Sequence, residues 1–245
     1  MDRLCGSYLR KKMALDGTPV EVAYVCQDFS SIPDFYKVPP QRTKPFGTVH
    51  ALLCAADVVQ EPCCVINADD YYGAGAYQTM YETLQHLAQE GQAAMVAYQL
   101  SKTASLHGAV SRGICSVEGE WLTGVKETKN IQLYPDGRIR DLRADSDLDP
   151  ESVVSMNFWG FMPSVFPVLQ EYFHAFLHEI AAEDLTAECL LPVMVDSLLK
   201  QNRLEVRVLS SADQWFGMTY QEDRAAVSGE ILRLHRQGAY PETLK

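Results

Sequence analysis

Residues 44–73 read KPFGTVHALLCAADVVQEPCCVINADDYYG. Gly47 precedes an apolar helical run at 48–59, and a second apolar run, 62–70, ends in Asp69 and Asp70. Glycine permits a close approach to its backbone, and the first N–H groups of the following helix favour negative charge. The run 62–70 suits a parallel strand covered on both faces. An acidic pair at the carboxyl end of such a strand sits where open α/β sheets bind ligands. On an extended strand the two carboxylates point in opposite directions. One would face the cleft and bind a metal, and the other would brace the loop. Carboxylates beside a phosphate need a cation between them, and Mg²⁺ held by a few carboxylate and phosphate oxygens meets that need.

Outward from this stretch, the β-branched and aromatic run 20–27 predicts a strand, followed by a Pro-rich connection over 28–45. A loop this long suggests a functional or mobile segment. Helix 48–59 is apolar on most faces and is expected to be buried on both sides. Further on, 74–89 has helical spacing and 93–100 reads as a strand, so strand and helix alternate as in an α/β domain with a mostly parallel sheet. From 108 the pattern turns to hairpins at 108–117, 121–129 and 131–142, with a turn at Tyr134-Pro135-Asp136-Gly137. A strand at 153–161, helices at 163–182 and 186–200, a strand at 204–210 and a helix at 221–237 complete the order. One domain over 1–245 is expected, with the α/β alternation over 1–106 and the hairpins and last helices over 107–245.

The chain has 21 Lys plus Arg against 32 Asp plus Glu, a formal charge of −11, which excludes a protein whose main task is to grip a nucleic-acid backbone. With 47% hydrophobic and 22% charged residues, the chain can build a core. No run reaches membrane-helix length and no signal-peptide core is visible, so a cytoplasmic, membrane-free protein is expected. The 7 cysteines have irregular spacing and read as free, buried thiols.

The G-T-x-x-A pattern at Gly47, Thr48 and Ala51, the I-N-A-D-D-x-Y-G of 66–73, Val125-Lys126-Glu127, the M-N-F-W-G-F of 156–161 and the W-F-G-M-T-Y of 215–220 together resemble the nucleotidyltransferases that activate sugar 1-phosphates. The resemblance covers nearly the whole chain and is specific only in combination. It implies a Rossmann-like, mixed but mostly parallel sheet flanked by helices, with 1–106 as the remainder of a nucleotide-binding half and 107–245 as a sugar-binding half with the C-terminal helices. It also implies that Gln27, Gly47 and Thr48 line a nucleobase pocket, that Asp69 holds Mg²⁺, that Glu127 accepts sugar hydroxyls, that Asn157 touches the sugar or its phosphate, and that Lys129 is a phosphate partner. The implied partners are a nucleoside triphosphate and a sugar phosphate, with a homo-oligomer allowed.

Two features depart from the family. Nothing before residue 20 matches its opening strand and Gly-rich triphosphate loop, so the first β-α unit is expected to be absent and the chain to derive from a longer enzyme. Gly217 stands where the family's second metal carboxylate lies, with Asp213 and Asp223 displaced from it.

The implied reaction is attack of a sugar-phosphate oxygen on the α-phosphorus of the triphosphate, releasing pyrophosphate. That oxygen is already ionised, so positioning and charge neutralisation suffice. A glycosyltransferase would use a D-x-D pair, whereas Asp69 and Asp70 are adjacent; a non-catalytic nucleotide- or sugar-binding protein is the reading from another class. His174 and His178 read as packing residues, Asp145, Asp147 and Asp149 as a solvated loop, and His50 as a packed helix histidine bordering the site.

Overall fold

Six consecutive residues of the strand Gln92–Gln99 are buried, which only a strand covered on both faces achieves. This strand (β3) is at the centre of the sheet in a computed structural model that describes residues 22–87, 90–181, 183–217 and 223–239. The other strands are β1 (Cys63–Val65), β2 (Asp70–Tyr71), β4 (Val110–Glu118), β5 (Trp121–Leu133), β6 (Ile139–Asp141), β7 (Ser146–Leu148), β8 (Val153–Phe161), β9 (Glu205–Ser210) and β10 (Phe216–Gly217). The helices are α1 (Thr48–Cys54), α2 (Ala74–Leu84), α3 (Val165–Glu179), α4 (Leu191–Lys200) and α5 (Asp223–Arg236). The eight-stranded sheet runs β1-β8-β3-β9-β5-β6-β7, with β4 against β5 and β8, while β2 and β10 form a small separate ladder. Both halves expected from the sequence contribute to this one sheet, since β3 pairs with β8 and β9.

The mixed α/β architecture, with a central sheet flanked by helices, agrees with the expectation, but the parallel share is smaller. Among the described residues only β3 and β9 run parallel; the other pairings are antiparallel. One apolar cluster packs α1, α3 and α4 on one face, around Phe46, Trp159, Phe173 and Met194. The second packs α2 and the hairpins on the other, around Tyr72, Met80, Phe158 and Ile131.

Three local expectations need correction. Of the strand expected at 20–27, residues 20 and 21 lie outside the described residues and 22–27 are not a strand; Tyr24 is 48% exposed, and among the described residues no ladder partner faces this run. β-branched composition makes a strand only where another edge accepts its hydrogen bonds. The run 62–70 contains only the short β1, which is antiparallel to β8 and ends the sheet path, with Cys64 exposed. Helix α1 stops at Cys54; beyond it Ala55 and Val58 donate to Leu52 and Ala55, tighter turns that leave Val58 51% exposed.

The connection 28–45 is pinned by a buried cation. Arg42 donates to the carbonyls of Lys44, Pro45, Asp184 and Ala187 and stacks 3.7 Å from the Phe46 ring centroid. Of the described cysteines, all free, only Cys189 is fully buried. Among the described residues no helix is long and apolar enough to cross a membrane.

Candidate functional site

Strand β1 leads into a turn at Ala68 and Asp69, after which the chain re-enters extended structure at Asp70. Asp69 is exposed, and among the described residues no hydrogen bond or ion pair engages its carboxylate. Asp70 is half-buried and engaged: Asn67 Nδ2 donates to its Oδ2 at 2.9 Å. The Tyr72 hydroxyl accepts from the Asn67 N–H, and its one proton is shared between the Met156 carbonyl at 2.7 Å and Asp70 Oδ2 at 3.3 Å. Tyr98 in turn donates to the Tyr72 carbonyl at 2.7 Å. Burial drives both phenols well above their usual pKa, so they remain neutral donors that fix the acidic turn. Burial also raises the Asp70 carboxyl, opposed by the Asn67 hydrogen bond and reinforced by the charge of Asp69.

Across the cleft, β8 brings Asn157. Met95 pairs with Trp159 and Ala97 with Ser155, so residues 156–158 stand opposite Val96 alone. Asn157 takes φ 60° at the middle of this bulge. Asparagine tolerates this region better than most residues, and such bulges re-aim side chains beside functional sites. Asn157 Oδ1 and the indole Nε1 of Trp215 are buried and have no hydrogen-bond partner among the described residues. Unpaired buried groups are rare, and both of these residues line the cleft.

Glu127 enters from β5, opposite Gly113 of β4. Burial raises its carboxyl, while Lys129 and Arg112 pull it back. Asn67, Asp69, Asp70, Arg112, Glu127 and Asn157 thus border one concavity of about 190 Å³.

Arg112 is the residue that sequence reasoning missed. It is only 8% exposed, with Nε and Nη2 on the Thr103 carbonyl and Nη1 on the Ser111 carbonyl at 2.8 Å. Its guanidinium carbon lies 5.1 Å from the Trp215 ring centroid. Burial lowers its pKa to about 10, against the opposing pull of Asp70 and Glu127, so it stays a cation at neutral pH. The available signal was a lone Arg inside the apolar strand 110–118.

The other expected site residues lie elsewhere. Gln27, Gly47, Thr48 and Lys129 are not on the cleft wall. Gln27 Nε2 donates to the Gly47 carbonyl at 2.8 Å and reaches His50 Nδ1 at 3.3 Å, and His50 Nε2 meets the Ser31 hydroxyl at 2.8 Å. His50 is buried and stacks on Phe173, the packing role expected of it. Thr48 Oγ1 accepts the Leu191 N–H at the start of α4. At Gly47 the close approach is made by the protein's own chain: a Cβ there would lie 2.7 Å from the Cys189 carbonyl oxygen. Lys129 lies in an adjoining basin that also borders Glu127.

Asp213 does not face the cleft as a metal carboxylate. It accepts the Ala76 N–H at 2.9 Å and caps α2. Met218, Thr219 and Tyr220 of the closing motif lie outside the described residues. His174 and His178 pack on Phe35, and Asp145 and Asp147 pair with Arg140 at the surface.

Among the described residues no group of three or more His, Cys, Asp or Glu could hold a metal ion by itself. Magnesium needs less: it commonly takes one or two carboxylates and completes its shell from water and substrate phosphate. The free Asp69 carboxylate beside Asp70 fits an ion arriving with a phosphate.

No protein-family model matches the sequence, and no match is found among curated proteins. Solved structures do match. The inositol-1-phosphate CTP transferase from T. maritima superposes with a TM-score of 0.51 at 11% identity, over 80% of this chain and 65% of that one. A protein assigned as a glucose-1-phosphate thymidylyltransferase from Bacillus anthracis gives 0.49 at 11% identity, over 80% and 63%. A UDP-glucose pyrophosphorylase complexed with UDP-glucose gives 0.48 at 14%, over 78% and 64%. The chain therefore spans less than two thirds of the structures it matches. At these identities the likeness establishes the fold alone: a mixed α/β sheet like that of the inositol-1-phosphate CTP transferase.

Proposed function

We propose that this chain carries the site of a nucleotidyl transfer from a nucleoside triphosphate to a sugar 1-phosphate or similar phosphorylated acceptor, with release of pyrophosphate. The observation that supports it best is the cleft, where a free carboxylate, two half-buried carboxylates, a buried arginine and an orphaned amide oxygen converge. Asp69 would hold Mg²⁺, which would supply charge neutralisation between the protein carboxylates and the phosphates.

Asp70, fixed by Asn67 and Tyr72, positions the turn that presents Asp69. Glu127 accepts acceptor hydroxyls, and Asn157 offers its unpaired oxygen to another. Arg112 balances the carboxylates and adds positive potential toward incoming phosphate. The attacking phosphate oxygen is ionised at neutral pH, so the cleft orients it and no side chain removes a proton. Gln27, Gly47 and Thr48 would belong to the wall on which the base rests, with His50 keeping Gln27 oriented.

The test is pyrophosphate release from each of the common nucleoside triphosphates with a panel of sugar 1-phosphates and Mg²⁺, alongside calorimetric binding of each ligand. Release that disappears in Asp69→Asn supports the proposal. Triphosphate binding with no turnover for any acceptor would point to a binding protein. Transfer of sugar from a nucleotide sugar would point to glycosyl transfer.

A further inference from the structure

Glu127 borders two concavities. Beyond it from the cleft lies a basin of about 480 Å³ lined by Lys126, Thr128, Lys129, Asp141, Arg143 and Val193, among others. In a chain of net charge −11, this basin gathers three cations. Among the described residues no salt bridge or hydrogen bond engages the charged ends of the Lys126, Lys129 and Arg143 side chains. Two carboxylates border the same basin and offset part of this charge, Asp141 acting on Lys126 and Arg143 and Glu127 on Lys129, but neither makes a salt bridge to them. Asp141 is buried, and its Oδ1 accepts the backbone N–H groups of Arg143 at 2.8 Å and Ala144 at 3.1 Å. Asp145 and Asp147 are both paired with Arg140.

The loop that carries Arg143 is fixed at both ends. Leu142 donates to the Asn130 carbonyl, Asp141 holds the next two N–H groups, and Arg140 grips Asp145 through its side chain and its carbonyl. Arg143 is thus an exposed cation on a braced loop, and its guanidinium can meet an oxyanion in the bidentate geometry that lysine lacks. Lys126 and Lys129 come from β5, directly flanking Glu127 and Thr128.

Resting on the proposed acceptor role of Glu127, we infer that the acceptor carries a second oxyanion, remote from its reacting phosphate, which docks on Lys126, Lys129 and Arg143. A sugar held by Glu127 has the cleft on one side and the basin on the other. A phosphate reacting in the cleft leaves the far end of the molecule facing these cations. A neutral far end would leave these three cations with only the partial compensation of Asp141 and Glu127. The second group is a phosphate or a carboxylate, and the two have the same basic recognition chemistry.

The experiment titrates the protein, with triphosphate and Mg²⁺, against a panel of sugar and polyol 1-phosphates, each compared with its analogue bearing a second phosphate or a carboxylate at the far end. Doubly anionic members are expected to bind about tenfold more tightly or better, the scale of a hydrogen bond to a charged group. Arg143→Gln should remove most of that advantage while leaving the singly phosphorylated members unchanged, and its melting temperature should match wild type because the residue is exposed. A preference for only the bisphosphates or only the carboxylates identifies the group.

Equal affinity for singly and doubly anionic members overturns the inference. So does an Arg143→Gln variant that weakens both alike, since the basin would then hold the reacting phosphate. If the triphosphate titrated alone also fails to bind, the proposed function falls too; if it binds and only the second-anion preference is missing, the inference falls alone.

Discussion

Gly47→Ala separates two reasons for a glycine at the head of α1. The native backbone there has φ 89° and ψ −170°. Residues with a Cβ are essentially excluded from that region, at a cost of about 1–3 kcal/mol. The added methyl would stand 2.7 Å from the Cys189 oxygen and 3.0 Å from its nitrogen, and backbone atoms have no rotamer by which to withdraw. Moving them disturbs two hydrogen bonds, Cys189 N–H to the Phe46 carbonyl at 2.8 Å and Val49 N–H to the Cys189 carbonyl at 3.1 Å. One buried backbone group left unpaired costs about 1–3 kcal/mol. The two effects together give roughly 2–6 kcal/mol. At about 2–4 °C per kcal/mol for a chain of this size, the melting temperature should fall by roughly 4–24 °C. The assay is thermal unfolding of the ligand-free protein, followed by a repeat with triphosphate. A glycine needed only for ligand approach would leave the ligand-free melt unchanged and abolish the ligand-induced shift alone. A ligand-free melting temperature within about 2 °C of wild type would refute the packing argument.

Arg42→Met should destabilise strongly, since four carbonyls lose a charged donor, and each such hydrogen bond is worth about 1.5–3 kcal/mol; chemical denaturation that matched wild type would mean that the connection 28–45 is held by other contacts. Asp69→Asn is expected to remove Mg²⁺-dependent turnover and leave the melting curve in place, whereas Asp70→Asn should lower the melting temperature through Asn67 and Tyr72; if Asp70→Asn does the greater damage to metal dependence, the metal carboxylate has been misassigned. Glu127→Gln should weaken the acceptor about tenfold and the triphosphate hardly at all, by calorimetry. The same variant tests linkage. The Glu127 pKa is raised in the folded state, so between the ordinary value and the raised one the native protein binds more protons than the unfolded chain, and stability falls as pH rises through that window. Glu127→Gln should therefore melt higher than wild type at pH 7, and the gap should close as the medium is acidified past the raised pKa; a gap that stays constant with pH would assign it to packing.

The elements that survived from sequence to structure are those whose burial is written locally. The run 93–98 is apolar throughout and became the central strand, and the hairpin turn at residues 134–137 closed where proline and glycine sit together. The orientation of β1 was not written that way. An apolar run buries equally well beside a parallel or an antiparallel neighbour, and its neighbour β8 lies far along the chain. The same distance hid the reason for Gly47, because the atoms that exclude a side chain there belong to Cys189. Of the expected site residues, Asp69, Glu127 and Asn157 share the cleft, since strands β5 and β8 and the turn after β1 converge on one side of the sheet. Gln27, Gly47 and Thr48 gather instead at the head of α1, where Gln27 donates to the Gly47 carbonyl and Thr48 accepts from Leu191.

Arg112 was illegible because a lone arginine in a strand usually reads as a solvated edge residue. Here its charge is satisfied by two main-chain carbonyls, a contact that no side-chain pattern announces. Once it is placed, the cleft acquires an electrostatic logic of its own. Asp70 and Glu127 are each pushed toward the neutral form by burial, and Arg112 is pushed the same way from the opposite sign. Each charge is held by the others, so the cleft is costly to keep in its ionised form without a ligand. A cation bound at Asp69 would favour the ionised carboxylates, and a phosphate arriving with it would favour the ionised guanidinium. In the proposed reaction a cation and a phosphate bound together would therefore relieve both signs, where either alone would relieve one.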